Sequence, residues 1–542
     1  MPRYRYERMP YATPPELAGG RASDAPVIIV GAGPIGLSAA VDLARHGIRS
    51  VLIDDNDVVS IGSRAICWAK RSLEILDRLG VGQRMLDKGV TWKVGRLFHR
   101  HREVYAFDLL PQDGHRMPAF VNLQQYYVEE YLIDRARELS DFIDLRWRNE
   151  LTGLERDNER VRCRIDTPDG QYTLEGRYLL ACDGAKSTVR RLMRLDFEGR
   201  VFEERFLIAD VEMQADFPSE RWFWFEPPFH NGQSALLHKQ PDNIYRIDLQ
   251  LGWNVDPETE KTPERVIPRI EAMVGHRDFA LDWVSVYTFQ CRRLDHFVHG
   301  NVIFVGDSAH IVSPFGARGG NGGIHDVDNL GWKLAAVLRG RAPPTLLDTY
   351  DEERGRGADQ NLRNSARATS FMTPRTEIEK LFRDEVLHLA DRYPFARRLV
   401  NSGRLSAPCS LAGMSLQTPP DNADTGGVAP GEACPDAPVA TLHGKGWLLH
   451  HLGDRFVVMR VGDSPPPELP GSVGLHIRTR GSPEEAAPVD VSGYVSARYG
   501  EGVTYLIRPD QHVAARFEAP DSVTLSEALA RATGHGEDSL VA

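Results

Sequence analysis

Residues 26–57, PVIIVGAGPIGLSAAVDLARHGIRSVLIDDND, leave this chain few ways to fold. Val27 to Val30 is a short apolar run that predicts a buried strand. Gly31-Ala32-Gly33-Pro34-Ile35-Gly36 follows at once, placing glycines first, third and sixth. Leu37, Ala40, Leu43 and Ala44 then recur at helical spacing, Gly47 ends the helix, and Val51-Leu52-Ile53 predicts a second strand ending at Asp54 and Asp55. Strand, glycine turn, helix, strand and terminal acid in register make a βαβ unit built for a dinucleotide. The first glycine permits the tight turn, the second admits the pyrophosphate, and the third lets helix pack on strand. Pro34 and Ile35 open the helix facing the phosphates, and Asp54 is placed to accept hydrogen bonds from a ribose diol.

A second glycine-rich turn lies far downstream, in residues 302–338. It begins as a buried strand, Val302-Ile303-Phe304-Val305, and continues as Gly306-Asp307. A loop follows with Pro314, Gly316, Gly319, Gly320, Gly322 and Gly323. Ile324, Val327, Leu330, Leu334, Ala335 and Leu338 then fall on one helical face. Dense glycines before a helix let bare backbone approach a planar ligand, and the helix start near Asn321 aims its N–H groups there. Two such turns predict one long ligand, held at its phosphate end by the first and at its redox end by the second.

The other segments limit the alternatives. A chain of 542 residues is too long for one core and predicts two or three domains. A net charge of −11 argues against a nucleic-acid partner. No apolar run is long enough for a bilayer span, so no membrane partner is expected. Residues 1–25 lack an apolar signal core and read as a flexible leader, which points to a cytoplasmic protein. The six cysteines form no C-x-x-C pair and no zinc or iron–sulfur spacing, so no metal site is expected. Arg64 has the fork to reach a pyrophosphate. Gln125, at a helix start, is a polar contact for a cofactor sugar or chain. Asp169-Gly170 predicts a hairpin turn, and Tyr178 to Cys182 a buried strand ending in Asp183-Gly184, with Ser187 and Arg190 opening a helix. Residues 201–295 read as short alternating strands, among them 206–211 and 245–251, with the aromatic run Trp222-Phe223-Trp224-Phe225. They predict an inserted antiparallel sheet with one wet face, the other closing over a flat ring. Helical patterns reach about 404, 410–435 reads as a linker, and the rest as a small α/β unit.

Taken together, these motifs resemble those of the single-component flavoprotein aromatic hydroxylases, the para-hydroxybenzoate hydroxylase and phenol hydroxylase superfamily, over about 25–400. The resemblance implies an α/β fold: a Rossmann-like FAD-binding domain (26–200 and 296–405), an inserted β-sheet substrate domain (201–295) and a C-terminal thioredoxin-like domain (425–542). It makes Gly31, Gly33 and Gly36 the FAD fingerprint. Asp183, Gly184 and Arg190 would serve both FAD and a transient NADPH or NADH. Asp307 would bind the ribityl chain, Pro314 would sit beside the flavin ring, and the backbone at Gly319, Gly320 and Asn321 would face flavin N1 and O2. Arg318 departs from the family's aromatic or small residue, and would point near the flavin to hold a substrate carboxylate or flavin phosphates. Tyr505-Leu506-Ile507-Arg508-Pro509-Asp510 carries the thioredoxin-like resemblance, and without C-x-x-C it implies packing or dimerisation.

The implied reaction uses FAD, NAD(P)H and O2 to hydroxylate a small phenolic substrate through a flavin hydroperoxide, in a water-poor chamber. His238, Tyr245 and His310 are candidate bases by position. Baeyer–Villiger or epoxidation chemistry on a polycyclic or polyketide substrate is an alternative, and a non-catalytic flavin protein a second. A flavin halogenase fails, because Trp222-Phe223-Trp224 continues as Phe225-Glu226-Pro227 and not as the required motif. A homodimer is left open.

Overall fold

The strand Val27–Val30 lies at the centre of a parallel sheet, between Ser50–Asp54 and Tyr178–Ala181. Ile143–Trp147 and Val302–Phe304 extend it in parallel on either side, and the short antiparallel strand Val298–His299 closes one edge. The computed structural model describes residues 4–20, 23–62, 64–230, 232–253, 255–314, 316–400, 407–420, 426–481 and 487–535. Every residue of Val27–Val30 is buried, as a strand covered on both faces requires. Helix Pro34–Arg45 packs against both Gln125–Glu138 and Gly319–Leu338. The crossing with Gly319–Leu338 is close because a Cβ on Gly331 would overlap the Asp42 carboxylate. The expected hairpin near Asp169 is present: Thr167 pairs with Gly170, so Pro168 and Asp169 make the turn.

The second large sheet has eight strands, in the order His310–Ile311, Phe279–Arg293, Glu198–Met213, Ile244–Gly252, Ala235–Lys239, Arg221–Phe225, Val94–His99 and Arg102–Asp108. It differs from the expected antiparallel insertion in two ways. Its last two strands precede residue 201, and Arg221–Phe225 pairs with Val94–His99 in parallel. Charged residues such as Arg96, Arg102 and Glu103 obscure the alternation of that hairpin in the sequence. Nor is one face simply wet. Leu207, Val211, Leu237, Ile247 and Leu249 pack with Val266 and Ile270 of helix Pro263–Val274. On the opposite face Phe206, Phe225 and Leu236 pack with Met372 and Leu387 of two later helices.

The leader, expected to be flexible, is a strap where it is described. The Tyr4 ring lies 4.1 Å from that of Tyr126, and its hydroxyl donates to Glu130 at 2.9 Å. Met9 N donates to Asp57 O at 2.6 Å, and Arg146 Nη1 donates to Glu16 at 2.9 Å. Closely spaced tyrosines give this segment anchors that its Pro- and Gly-rich texture conceals. At the other end, Phe456–Val461 pairs in parallel with Ser472–Ile477 and antiparallel with Thr504–Ile507, which pairs with Val513–Phe517. Leu506, Ala515, Phe517 and Leu525 of this unit join the main core. Among the described residues no helix is long and apolar enough to cross a membrane.

Candidate active site

The first turn needs its glycines. Gly31 has φ +102°, and a Cβ there would lie 2.6 Å from the Cys182 carbonyl oxygen. A Cβ on Gly36 would overlap the Gly31 carbonyl. A Cβ on Gly33 would meet nothing within 4 Å, so its backbone borders open space. Helix Pro34–Arg45 starts there without a side-chain cap, leaving its first N–H groups for an anion. Asp54 accepts from Ala32 N at 2.6 Å and Asn56 N at 2.8 Å, so its carboxylate ties the glycine turn to the second strand. Burial pushes it up to about 6. Asp55 and Arg64 are exposed. Gln125 points elsewhere than expected: its amide accepts from Ala65 N at 3.0 Å and donates to Ser60 at 3.0 Å and Glu129 at 2.8 Å. It fixes the loop that carries Arg64.

The second turn meets the first through one side chain. A Cβ on Gly306 would lie 3.1 Å from Ile35 Cγ1, and one on Gly323 only 2.6 Å from Ile35 Cδ1. Ile35 of the first motif therefore nests between two glycines of the second, and both cradles border one groove. Asp307 is exposed on that groove, and the protein crowding it pushes its carboxyl up. Gly306 N donates to Asp326 at 3.0 Å, which also accepts His310 Nε2 and Arg354 Nε, both at 2.7 Å. His310 is 1% exposed and committed to this knot, so it is not placed as a base. Arg190 donates to Ser308 O at 3.1 Å and Ala185 O at 2.6 Å, clasping the Asp183 motif to the second cradle. Asp183 accepts from Val189 N at 3.0 Å, and Gly184, with φ +71°, faces open space.

Helix Gly319–Leu338 also starts without a side-chain cap, next to half-buried Gly319 and Gly320. Asn321 is buried and acts as a staple, donating to Cys67 O at 2.8 Å and Ala317 O at 2.6 Å and accepting from Ala69 N at 2.9 Å. Pro314 is exposed at the loop tip, where Ala317 N donates to its carbonyl at 3.1 Å. Ala317 has φ +53°, a left-handed conformation costly for a residue with a side chain. Two uncapped helix starts on one groove, with bare glycine backbone at each, fit a ligand that is anionic at one end and a polar ring at the other.

Above the second cradle runs a row of polar side chains. Arg221 is opposite His238, His238 opposite Arg246, Arg246 opposite Asp210, and Asp210 opposite Trp283, so all five share one face of the sheet. Asp248 shares that face two residues beyond Arg246. His238 Nδ1 lies 3.6 Å from Cys67 Sγ, whose backbone carbonyl Asn321 holds, so the row meets the start of helix Gly319–Leu338. Arg246 donates to Asp210 at 3.0 Å and Arg64 O at 3.3 Å. Arg221 Nε and Asp248 Oδ1 are buried without a hydrogen-bond partner among the described residues. Arg318 is 5% exposed. Its burial, then the neighbouring Arg221, push its guanidinium down to about 10. Burial also holds His238 well below the usual imidazole range, with Arg221 and Arg246 adding to it, so the ring is neutral. Tyr245 belongs to the other face, where its hydroxyl donates to Ala215 O at 2.8 Å, and it is removed from the candidate bases.

The fold and the shared groove define a flavin-binding class, and the chain belongs to the FAD binding domain family, which matches residues 24–365. A 12-dehydrotetracycline 5-monooxygenase/anhydrotetracycline 6-monooxygenase of Streptomyces rimosus is 31% identical over 391 residues, 69% of this chain and 76% of that protein. A 3-(3-hydroxy-phenyl)propionate/3-hydroxycinnamic acid hydroxylase of Mycolicibacterium smegmatis is 27% identical over 376 residues; the match spans 69% of this chain and 66% of that protein's length, just under two thirds. Among solved structures, the flavin-dependent monooxygenase PieE, in complex with FAD and substrate, shares the fold with a TM-score of 0.78 at 23% identity, covering 95% of this chain and all of that one.

Proposed function

We infer that this protein is an FAD-dependent monooxygenase that uses NADPH or NADH and O2 to hydroxylate a phenolic aromatic substrate. The observation that carries the reading is the single groove made where Ile35 nests between Gly306 and Gly323, roofed by the charged sheet face from Arg221 to Trp283. FAD, when bound, supplies two-electron reduction by the nicotinamide and activation of dioxygen for transfer to a ring. This chain's residues do the rest. The N–H groups opening Pro34–Arg45 receive the pyrophosphate, and those opening Gly319–Leu338 face the ring's polar edge. Arg318, buried beside Arg221, concentrates positive charge where the reduced ring and the substrate oxygen carry negative charge. The strap from Tyr4 to Gly20, whose Tyr6 hydroxyl accepts from Gly62 N at 3.1 Å, limits water.

The carboxyl-terminal unit is read as thioredoxin-like, on the strength of its four-stranded mixed sheet and flanking helices Tyr494–Tyr499 and Ser522–Ala532. Its Cys434 is a buried free thiol, so a packing role suits it, in one chain or a homodimer. The free thiols of all six cysteines suit a reducing cytoplasm. The test is a panel of phenolic acids and polycyclic phenols, given to the FAD-loaded protein with each nicotinamide. The expected result is nicotinamide oxidation stimulated by some panel members, with a product 16 mass units heavier. Stimulated oxidation that yields only hydrogen peroxide across the whole panel would overturn the reading.

A further inference from the structure

The sheet face over the groove carries two charged groups that its own neighbours leave unsatisfied. Arg221 is buried with Nε lacking a partner, and Asp248 has Oδ1 in the same condition among the described residues. A buried charged group without its hydrogen bonds is costly, and one that faces a ligand groove is explained by a ligand that completes it. The two lie on one face with His238 between them: Arg221 pairs across the ladder with His238, and His238 Nε2 is 4.0 Å from Asp248 Oδ2. His238 links this group to the FAD side through Cys67.

Resting on the phenol-hydroxylating reading, we propose that Asp248 takes the proton of the substrate's ring hydroxyl and that the Arg221 guanidinium holds the oxygen left behind. The step is a proton transfer. The substrate O–H bond breaks, its electron pair stays on oxygen, and the proton bonds to Asp248 Oδ1. Nothing is oxidised, and the negative charge moves from the carboxylate to a ring oxygen facing a guanidinium. A phenolate is the better nucleophile toward electrophilic oxygen, so the transfer prepares the ring for attack.

The setting supports this role. The charged and titratable groups around Asp248 are Arg246, Arg221, Asp210 and His238 on the sheet and Cys67 on the short strand Cys67–Ala69. Burial pushes Asp248 up to about 6, while Arg246 and Arg221 keep it from rising further. His238 is neutral and lies between Cys67 Sγ at 3.6 Å and Asp248 Oδ2 at 4.0 Å, and burial keeps it from competing for the proton. Arg246 is committed to Asp210 at 3.0 Å and Trp283 at 5.7 Å, which leaves Arg221 for the ligand.

The experiment compares phenols of graded acidity on the FAD-loaded enzyme and on Asp248→Asn. Wild type should show a kcat/KM limb rising through pH about 6 with weakly acidic phenols, and no such limb with phenols already ionised there. Asp248→Asn should lose about 100-fold with weakly acidic phenols and recover to within about tenfold with pre-ionised ones. An equal loss for both classes, or a limb that persists in the variant, would overturn the assignment. If the variant fails to hold FAD, the wild-type comparison decides: a limb equally present with both classes overturns it, and one confined to the weak acids supports it. A wild-type panel without any hydroxylated product overturns the phenol-hydroxylase reading too, and is distinguished because the unmodified enzyme is itself silent.

Discussion

Two buried charge clusters in this protein are built on opposite terms. Where the C-terminal unit meets helix Gly319–Leu338, Arg508, Asp510, Lys333 and Glu353 are all 0% exposed. Arg508 donates to both Glu353 oxygens at 2.6 and 2.9 Å, and Lys333 donates to Glu353 at 2.7 Å. Arg508 Nε donates to Asp510 at 3.0 Å, and Trp332 Nε1 to the same carboxylate at 3.2 Å. Two cations meet two anions, and each carboxylate has several donors. Over the groove, Arg221 and Arg246 share a sheet face with Asp210 and Asp248, and Arg221 Nε and Asp248 Oδ1 have no hydrogen-bond partner among the described residues. The first cluster is complete and serves as a fastener. The second leaves two polar atoms without a hydrogen-bond partner among the described residues, which a ring hydroxyl could complete. Burial alone does not separate structural charges from functional ones, and an unmatched atom does so only with its position, since Arg71 Nε, Arg78 Nη1 and Asp42 Oδ2 are unmatched away from the groove.

The contrast breaks most easily at Glu353. Glu353→Gln leaves Lys333 and Arg508 buried against Asp510 alone, and should cost about 3–5 kcal/mol of stability by denaturant unfolding. A loss under about 1 kcal/mol would mean the fastener is not one.

A smaller effect is expected at the rim of the same seam. Asp77 accepts from Arg116 at 2.9 Å and meets His450 at 3.0 Å. Burial pushes its carboxyl up, but His450 and Arg116 outweigh burial and bring it from 3.8 down to about 2. A carboxyl lowered in the folded state stabilises above its unfolded pKa, and that contribution disappears as pH falls through the folded one. The window is therefore pH 4 to 2, and because Asp77 is partly wet the contribution is no more than about 2 kcal/mol. Asp77→Asn should be less stable than wild type at pH 7 and should flatten the melting temperature's decline across that window. An unchanged slope would remove Asp77 from the seam.

These sites differ in how far the sequence reveals them. The glycines at 31, 33, 36, 306 and 323 are legible because backbone conformation and close approach demand that residue type locally. Gln125, Arg190 and Asn321 are legible as site-facing positions only. Whether each amide or guanidinium turns to a ligand or to a neighbouring segment depends on residues up to 254 positions away, and all three bond to such segments. Arg221 and Asp248 stand in strands whose alternation is plain, and the polar set Arg246, Asp248, Gln250 is the signal that was available. What the sequence conceals is which face meets the groove, since a slip of one residue in register exchanges the two. The strap at Tyr4 and the hairpin at 94–108 were hidden for the same reason: their partners are distant in the chain.

The finest test of the comparison is Arg221→Met. Removing Arg508 would leave carboxylates buried and unpaired, whereas Arg221 Nε has no hydrogen-bond partner among the described residues. Burial already lowers the Arg221 pKa, so the folded state disfavours that charge. A methionine fills most of the same volume without it. The melting temperature should stay level or rise, by the equivalent of about 1 kcal/mol or less, while kcat/KM for a phenolic substrate falls. Asp248 also loses a cation that pulls its carboxyl down, so its pH limb should move upward in the variant. A marked loss of stability with unaltered turnover would reverse the distinction, making Arg221 part of the fastening and not of the site.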